Sequence, residues 1–347
     1  MRAVVVEQFG VQPVVREVAD PVAPPGGVVV AVEATGLCRS DWHAWSGHDT
    51  DVVLPHVPGH ELAGTVASVG AGVDQVRVGE RVTAPFVMAC GTCEPCRAGE
   101  QQVCLRQQQP GFTRWGSFAE LVVVEHAAVN LVPLPDGVGS DVAALLGCRF
   151  ATAFRAVHAV GRLSAGERVA VHGCGGLGLS AVMVASAAGA RVVAVDPSPA
   201  ARELALTLGA EAAVDPADGT YEQVAEQVRA VSGGGTHLSL DALGSEATCA
   251  ASLAGLRARG RHVQVGLLPS VLGAPRVPLH LVVAGELELL GSHGMPAHAY
   301  PQLLSLVTTR RLRPERLVRR TVGLDDAGAA LAAMGDRPGA GVTLIRP

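Results

Sequence analysis

Four of the eight cysteines fall between Cys90 and Cys104, in the pattern Cys90-Gly-Thr-Cys93-Glu-Pro-Cys96 followed by Cys104. Four thiolates so close in sequence can wrap one zinc ion tetrahedrally and leave no position open for a substrate, so this site is expected to be structural. Cys-x-x-Cys-x-x-Cys also opens iron–sulfur motifs. Those continue with three residues and Cys-Pro, whereas here seven residues precede Cys104 and Leu105 follows. The opening stretch MRAVVVEQFG lacks the apolar core and cleavage site of a signal peptide. The cytoplasm is therefore the expected compartment, and metal ligation is favoured over disulfides.

A second pattern suits a nucleotide. Val169-Ala170-Val171-His172 reads as a strand running into Gly173-Cys174-Gly175-Gly176-Leu177-Gly178. In such a Gly-x-Gly-x-x-Gly turn, Gly173 permits the tight bend and Gly175 the close approach of backbone to pyrophosphate. Gly178 permits close helix–strand packing, and Gly176 and Leu177 complete the cofactor-binding set. The phosphates would rest on the positive end of the following helix. A later strand ends at Asp196, 18 positions beyond Gly178. A carboxylate there accepts hydrogen bonds from ribose hydroxyls and repels a 2′-phosphate. Pro197, Ser198 and Pro199 follow with no adjacent arginine, so NAD is expected over NADP.

Two further segments are rich in chemistry: Gly36-Leu37-Cys38-Arg39-Ser40-Asp41-Trp42-His43 and Gly59-His60-Glu61-Leu62-Ala63-Gly64. At these residues the chain resembles the zinc-containing medium-chain alcohol dehydrogenases. The run from Gly59 through Gly64 and Gly70 to Val73 fits that family's zinc signature. The cysteine lobe and the glycine fingerprint follow in the family's order, so the resemblance spans nearly the whole chain.

The resemblance implies a second, catalytic zinc held by Cys38, His60 and Cys148. Two thiolates and an imidazole leave a fourth position open, as catalysis requires. It implies that Asp41 fixes the tautomer of His60, and that Glu61 is the auxiliary carboxylate that approaches the metal during ligand exchange. Coordination lowers the pKa of water from about 16 to about 7, and an alcohol would be acidified in the same way before its carbon gives up hydride. Ser40 would pass the alcohol proton toward the nicotinamide ribose and on to His43, which delivers it to solvent. Arg39 is implied to meet the cofactor pyrophosphate, and Phe86, Phe112 and Trp115 to line the substrate pocket. Longer family members also place a C-terminal arginine on the pyrophosphate. The strand near Ala340–Ile345 offers none, and Arg346 falls too late, which leaves Arg39 and backbone amides.

Other readings bear on the same residues. Cys148 could instead be a buried apolar cysteine and His43 a surface residue. Cys174 and Cys249 are expected to pack, and His48 and His56, which have no metal spacing, to be solvated. Trp42 and Trp45 could line the cleft or fill the core. Polyol and threonine dehydrogenases of the same superfamily tend to use a carboxylate at or near the third zinc position, which Cys148 does not supply. A non-catalytic NAD- or zinc-sensing protein on the same fold would need no proton path such as Ser40 and His43.

These groups must be positioned by an α/β chain of two domains. Residues 1–150 read as short β-runs broken by Gly and Pro, including Val28–Ala34, Leu62–Val69 and Phe118–Val124. From about residue 165 strands alternate with Ala-rich helices. Candidate strands are Arg168–His172, Arg191–Val195, Ala212–Val214, Leu238–Ala242, His262–Val265 and Leu287–Leu290; candidate helices include 177–188, 200–208 and 222–231. This is the signature of a doubly wound parallel sheet. By resemblance, residues 1–150 form a GroES-like catalytic domain completed by 295–347, a Rossmann domain is inserted over 151–294, and the active site lies between them. The resemblance also implies a homotetramer or homodimer, paired through Leu287–Ser292.

Composition narrows the rest. Hydrophobic residues make up 48% of the 347, with 42 glycines and 17% charge, which fits a compact, turn-rich enzyme. A net charge of -5 argues against nucleic acid. The longest apolar run, Cys174–Ala190, is short and Gly-rich, and reads as a buried helix rather than a membrane span. All 27 basic residues are arginine, which rules out Schiff-base lysines, a P-loop lysine and the Tyr/Lys pair of short-chain dehydrogenases.

Overall fold

The computed structural model describes residues 1–217, 219–268, 274–335 and 340–347. The chain divides into two compact units, the first comprising Met1–Ala151, Gly294–Arg310 and Val318–Pro347, the second Thr152–His293 and Arg311–Leu317. The short segment 311–317 groups with the second unit, where the Arg313 amide donates to Met183 Sδ (3.4 Å) and Arg316 donates to the Thr207 carbonyl.

The first unit is built on a mixed, mostly antiparallel sheet. Its order is Val318–Gly323, Val342–Arg346, Val28–Leu37, Glu61–Val69, Arg81–Thr83 and Val132–Pro133, with Leu121–Val124 also pairing to Val28–Leu37. The central strand Val28–Leu37 is long and Val-rich, and its alternate valines fill one core with Leu62, Val66, Val82, Val122 and Val124. A second core lies under the Arg2–Val5 strand, where Val4, Phe118, Leu331 and Ile345 meet. The β-rich expectation understated the helices of this unit. Arg39–Trp45 and Ser140–Leu145 are helical, and the helix Arg149–Arg155 starts in this unit and continues into the second.

The second unit is a six-stranded, wholly parallel sheet ordered Ala212–Val214, Arg191–Val195, Arg168–His172, Thr236–Asp241, Leu256–Gln264 and Glu288–Gly291. In chain order this is 3-2-1-4-5-6, the doubly wound arrangement that places a nucleotide at the reversal beside its first strand. Helices Gly176–Ala187, Pro199–Thr207, Tyr221–Ser232 and Glu246–Ala254 follow the first, second, third and fourth strands. Gly176–Ala187 is apolar all round and buried from Gly178 to Ala185, as a helix pressed onto a sheet must be. Among the described residues no helix is long and apolar enough to cross a membrane.

Candidate active site and zinc lobe

The helix Arg39–Trp45 starts at Cys38, whose extended backbone makes it the N-cap. Asp41, in the helix's first turn, accepts a hydrogen bond from the Cys38 amide (2.8 Å), satisfying one of the amides a helix start leaves open. The same carboxylate is wholly buried and also accepts from the Gly59 amide (3.1 Å) and pairs with His60 Nδ1 (2.9 Å). One side chain therefore caps a helix, holds the turn before His60 and orients the imidazole. With Nδ1 so engaged, His60 Nε2 is left buried and without a partner, a costly state for a ring nitrogen unless a further group occupies it.

That nitrogen belongs to a cluster. The ligand atoms of Cys38, His60, Glu61 and Cys148 all lie within 4.8 Å of one another. The Cys38 thiol is held well below its ordinary range, first by the hydrogen bond from Cys148, while burial opposes it; Cys148 is pushed well above, first by that same bond. Two adjacent sulfurs share a proton that a divalent cation would displace. Burial works against a charge on His60, and Asp41 outweighs it, raising the ring well above its usual value. Soft sulfur, an orphaned imidazole nitrogen and a carboxylate fixing the far nitrogen form a donor set suited to zinc.

Glu61 is differently placed from its neighbours. It pairs in register with Gly36 across the strands Val28–Leu37 and Glu61–Val69, and its carboxylate is gripped by Arg149. The Arg149 backbone N–H donates to Oε1 (2.9 Å), Nε to Oε1 (2.8 Å) and Nη2 to Oε2 (2.5 Å), while Nη2 also donates to the Leu37 carbonyl (2.9 Å). Burial pushes the Glu61 carboxyl up even against the Arg149 charge. Gly36 makes room for the pair, since a Cβ there would lie 2.0 Å from Glu61 Oε2. Arg149 is a site residue the sequence reading passed over, although it directly follows Cys148.

The rings of Phe86 and Phe112 lie 6.1 Å and 5.3 Å from that of His60, so both wall the donor cluster. Trp115 does not join them. It is 41% exposed, its Nε1 donates to the Pro55 carbonyl (3.2 Å), and with Phe112 it lines a separate cavity of about 610 Å³ that none of the three donors lines. Ser40 lies 3.8 Å from Cys38 Sγ. His43 sits at the surface beside His48, and partial burial, ahead of the His48 and Arg39 charges, lowers its pKa. Arg39 stacks over Trp42 (5.0 Å) and donates to the Met334 carbonyl (2.9 Å). Trp45 is a core residue, and Cys174 and Cys249 are buried. His56, expected in solvent, is 3% exposed, because its backbone exchanges two hydrogen bonds with Val6 and draws the ring inward. Arg346 pairs with Asp141.

The four-cysteine lobe is assembled as a closed cage. All four sulfurs are free and lie within 4.8 Å of one another, with Cys93 Sγ 3.3 Å from Cys96 Sγ and 3.7 Å from Cys104 Sγ. Tetrahedral zinc with bonds of about 2.3 Å spaces its sulfurs by about 3.8 Å. Backbone and side-chain donors already face the sulfurs. Thr92 donates to Cys90 Sγ, while Arg106 donates to it through its guanidinium and to Cys104 Sγ through its amide. The Thr92 amide, first among these donors, brings the Cys90 thiol down to about 4, while burial pushes Cys96 up to about 12.

In the parallel-sheet unit, Gly173 has φ +88° and a Cβ on Gly178 would lie 1.8 Å from the Gly173 carbonyl oxygen, so the turn and the helix contact both demand glycine. At Gly175 a Cβ would project into open space, and the helix that starts there has no side-chain cap. Open volume against uncapped amides is what a pyrophosphate needs. Asp196 accepts from the Cys174 amide (2.7 Å) and the Ser198 amide (2.8 Å), tying the two turns together. The chain does bring an arginine to this acid: Arg202, one helical turn on, donates to the Asp196 carbonyl (2.7 Å) and pairs with Asp215 (2.8 Å).

Comparison with known proteins agrees with this architecture. Residues 24–136 match the family described as "Alcohol dehydrogenase GroES-like domain" and residues 176–309 the family "Zinc-binding dehydrogenase". An alcohol dehydrogenase of Geobacillus stearothermophilus is 37% identical over 295 residues, 84% of each chain. The solved structure of alcohol dehydrogenase TADH from Thermus sp. ATN1 superposes with a TM-score of 0.90 at 33% identity, covering 100% of this chain and 99% of that one. A putative zinc-binding dehydrogenase from Sinorhizobium meliloti 1021, solved bound to NADP, gives 0.87 at 29% identity, with coverage of 100% and 99%.

Proposed function

This chain belongs to the zinc-dependent medium-chain alcohol dehydrogenases, and from that premise we propose that it interconverts an alcohol and its aldehyde or ketone with NAD. The proposal assigns one zinc to Cys38, His60 and Cys148 and a second, structural zinc to Cys90, Cys93, Cys96 and Cys104. In domain terms, 1–150 with 295–347 is the catalytic part and 151–294 the NAD-binding part. The observation that carries the reading is His60, whose Nδ1 is fixed by Asp41 while its buried Nε2 faces no partner amid two cysteine sulfurs.

When bound, the catalytic zinc supplies Lewis acidity, which acidifies an alcohol hydroxyl or polarises a carbonyl, and NAD supplies the hydride acceptor. The protein's side chains do the rest. Asp41 keeps the His60 proton on Nδ1, so that Nε2 stays a ligand. Arg149 holds Glu61 at the edge of the donor cluster, where it tunes the local charge. Phe86 and Phe112 exclude water from the His60 side, which strengthens every charge interaction inside. Ser40 takes the alcohol proton and His43 conducts it outward. Asp196 receives the ribose hydroxyls, and the amides after Gly175 take the pyrophosphate.

Cys148 as third donor favours a simple alcohol over a polyol or threonine, and the pairing of Ser40 with His43 favours catalysis over a sensing role. NAD is favoured over NADP because the Asp196 carboxylate holds the position and Arg202 is already engaged by Asp215. A panel of primary, secondary and aromatic alcohols with NAD tests the reading: at least one class should yield NADH, and Cys38→Ser should abolish the activity with the fold intact. Undiminished turnover in that variant would refute the metal assignment.

A further inference from the structure

We propose that His48 is a second proton-relay residue, taking from His43 Nδ1 the proton that alcohol oxidation releases and passing it to water from its own Nε2. The proposal rests on the catalytic reading of Ser40 and His43 given above.

The backbone builds this contact. The helix Arg39–Trp45 ends at Ser46, and Gly47 follows with φ +78°. The Gly47 amide donates to the Ala44 carbonyl (3.1 Å) and the His48 amide to the His43 carbonyl (3.0 Å). Those two bonds define a Schellman motif, in which the residue after the left-handed glycine folds back over the third residue from the helix end. In most proteins that juxtaposition packs two apolar side chains. Here it packs two imidazoles, with His43 Nδ1 and His48 Nδ1 3.1 Å apart. At that distance one nitrogen donates to the other. The Trp42 ring meets both imidazoles edge-on, at 5.1 Å and 5.6 Å with interplanar angles of 73° and 72°, and restrains their planes.

His43 then has two separate ports. With Nδ1 committed to His48, Nε2 is the nitrogen left to receive a proton from the side of Ser40. A proton that enters at Nε2 releases the one at Nδ1 to His48 Nδ1, and His48 gives up its Nε2 proton to water. One proton enters and one leaves, both rings end neutral with their tautomers exchanged, and solvent-mediated tautomerisation of each of the two exposed rings resets the pair. The charged and titratable groups facing His43 are His48, Arg39, Cys38 and Asp49. Burial, ahead of His48 and Arg39, opposes a lasting charge on His43, so an arriving proton is driven outward rather than stored.

The test is stopped-flow proton release, followed with a pH indicator, on mixing the zinc-loaded enzyme and NAD with an alcohol substrate. His48→Gln should keep zinc content and NADH affinity but slow proton release roughly tenfold, less than the roughly 10²–10⁴-fold of a lost general base because water partly substitutes. Free imidazole should restore the rate in the variant and leave the wild type unchanged. Proton release at the wild-type rate in His48→Gln would overturn the proposal, as would a slowed rate that imidazole does not restore, which marks a structural defect. Failure of the wild type to reduce NAD with any alcohol would instead overturn the function on which the relay rests.

Discussion

Arg149→Met removes the cation that holds Glu61 and leaves a carboxylate with 0% exposure without its ion-pair partner. Breaking a buried pair from one side costs about 3–5 kcal/mol. Protonation of Glu61 limits that loss. Carrying a carboxyl of ordinary pKa 4.5 in its neutral form at pH 7 costs about 3.4 kcal/mol, at about 1.36 kcal/mol per pH unit. In the variant the folded-state pKa of Glu61 lies above its unfolded value, so the folded protein holds a proton the unfolded chain lacks. Stability is then present at low pH and lost as pH rises through that window. The destabilisation should therefore be small near pH 5, about 0.7 kcal/mol, and grow to its full size at pH 7. For a unit of this size that corresponds to a melting temperature lower by roughly 7–14 °C at pH 7. Thermal denaturation at pH 5 and 7, with wild type and variant both freed of metal so that no zinc charge faces Glu61, reads this directly, and Glu61→Gln combined with Arg149→Met should recover most of the loss. Equal destabilisation at both pH values, or additive effects of the two substitutions, would refute the reasoning.

Three further outcomes follow from other contacts. Asp41→Asn weakens the charge that fixes His60 and should lower affinity at the catalytic zinc about 10–100-fold, measured by chelator competition, while the cysteine lobe keeps its ion. Asp196→Ala removes the carboxylate beside Arg202 and should narrow the preference for NAD over NADP by about tenfold, the loss of one or two charge-assisted contacts; an unchanged ratio of kcat/KM values would discount the ribose role. His172, at the end of the strand Arg168–His172, is held neutral by burial with a pKa of about 3, against 6.5 when unfolded. Its depressed value means that stability is full above pH 6.5 and is lost as pH falls toward 3. His172→Phe should accordingly retain about 2 kcal/mol more than the wild type does at pH 5, relative to pH 7, by urea unfolding.

What the sequence revealed depended on how local each feature is. The cysteine lobe and the glycine fingerprint are short, contiguous arrangements whose donors or turns are set by neighbours in the chain, and both were legible from spacing. The Val-rich strands of the parallel sheet announced themselves as apolar runs. The strand Leu256–Gln264 was seen only from His262 because Arg257, Arg259 and Arg261 interrupt its early half. Cys38, His60 and Cys148 are scattered along the chain, and only the family resemblance joined them. The Glu61–Arg149 pair spans 88 positions, and nothing near Arg149 marks it as a buried cation except the glycine at 36 that makes its space. Arg202 lies beyond the arginine-free Pro197–Pro199 stretch, and only the helix Pro199–Thr207 turns its side chain back toward Asp196. His56 misled because its polarity said surface while its backbone pairing with Val6 put it inside.

The assignment of Cys38, His60 and Cys148 as a catalytic zinc site is tested most directly by counting metal ions per chain in native mass spectrometry, for the wild type and for Cys148→Ala. Two zinc ions per wild-type chain and one in the variant, with alcohol-dependent NAD reduction lost, is the predicted result. A single ion in the wild type, or two retained in Cys148→Ala with activity intact, would contradict it.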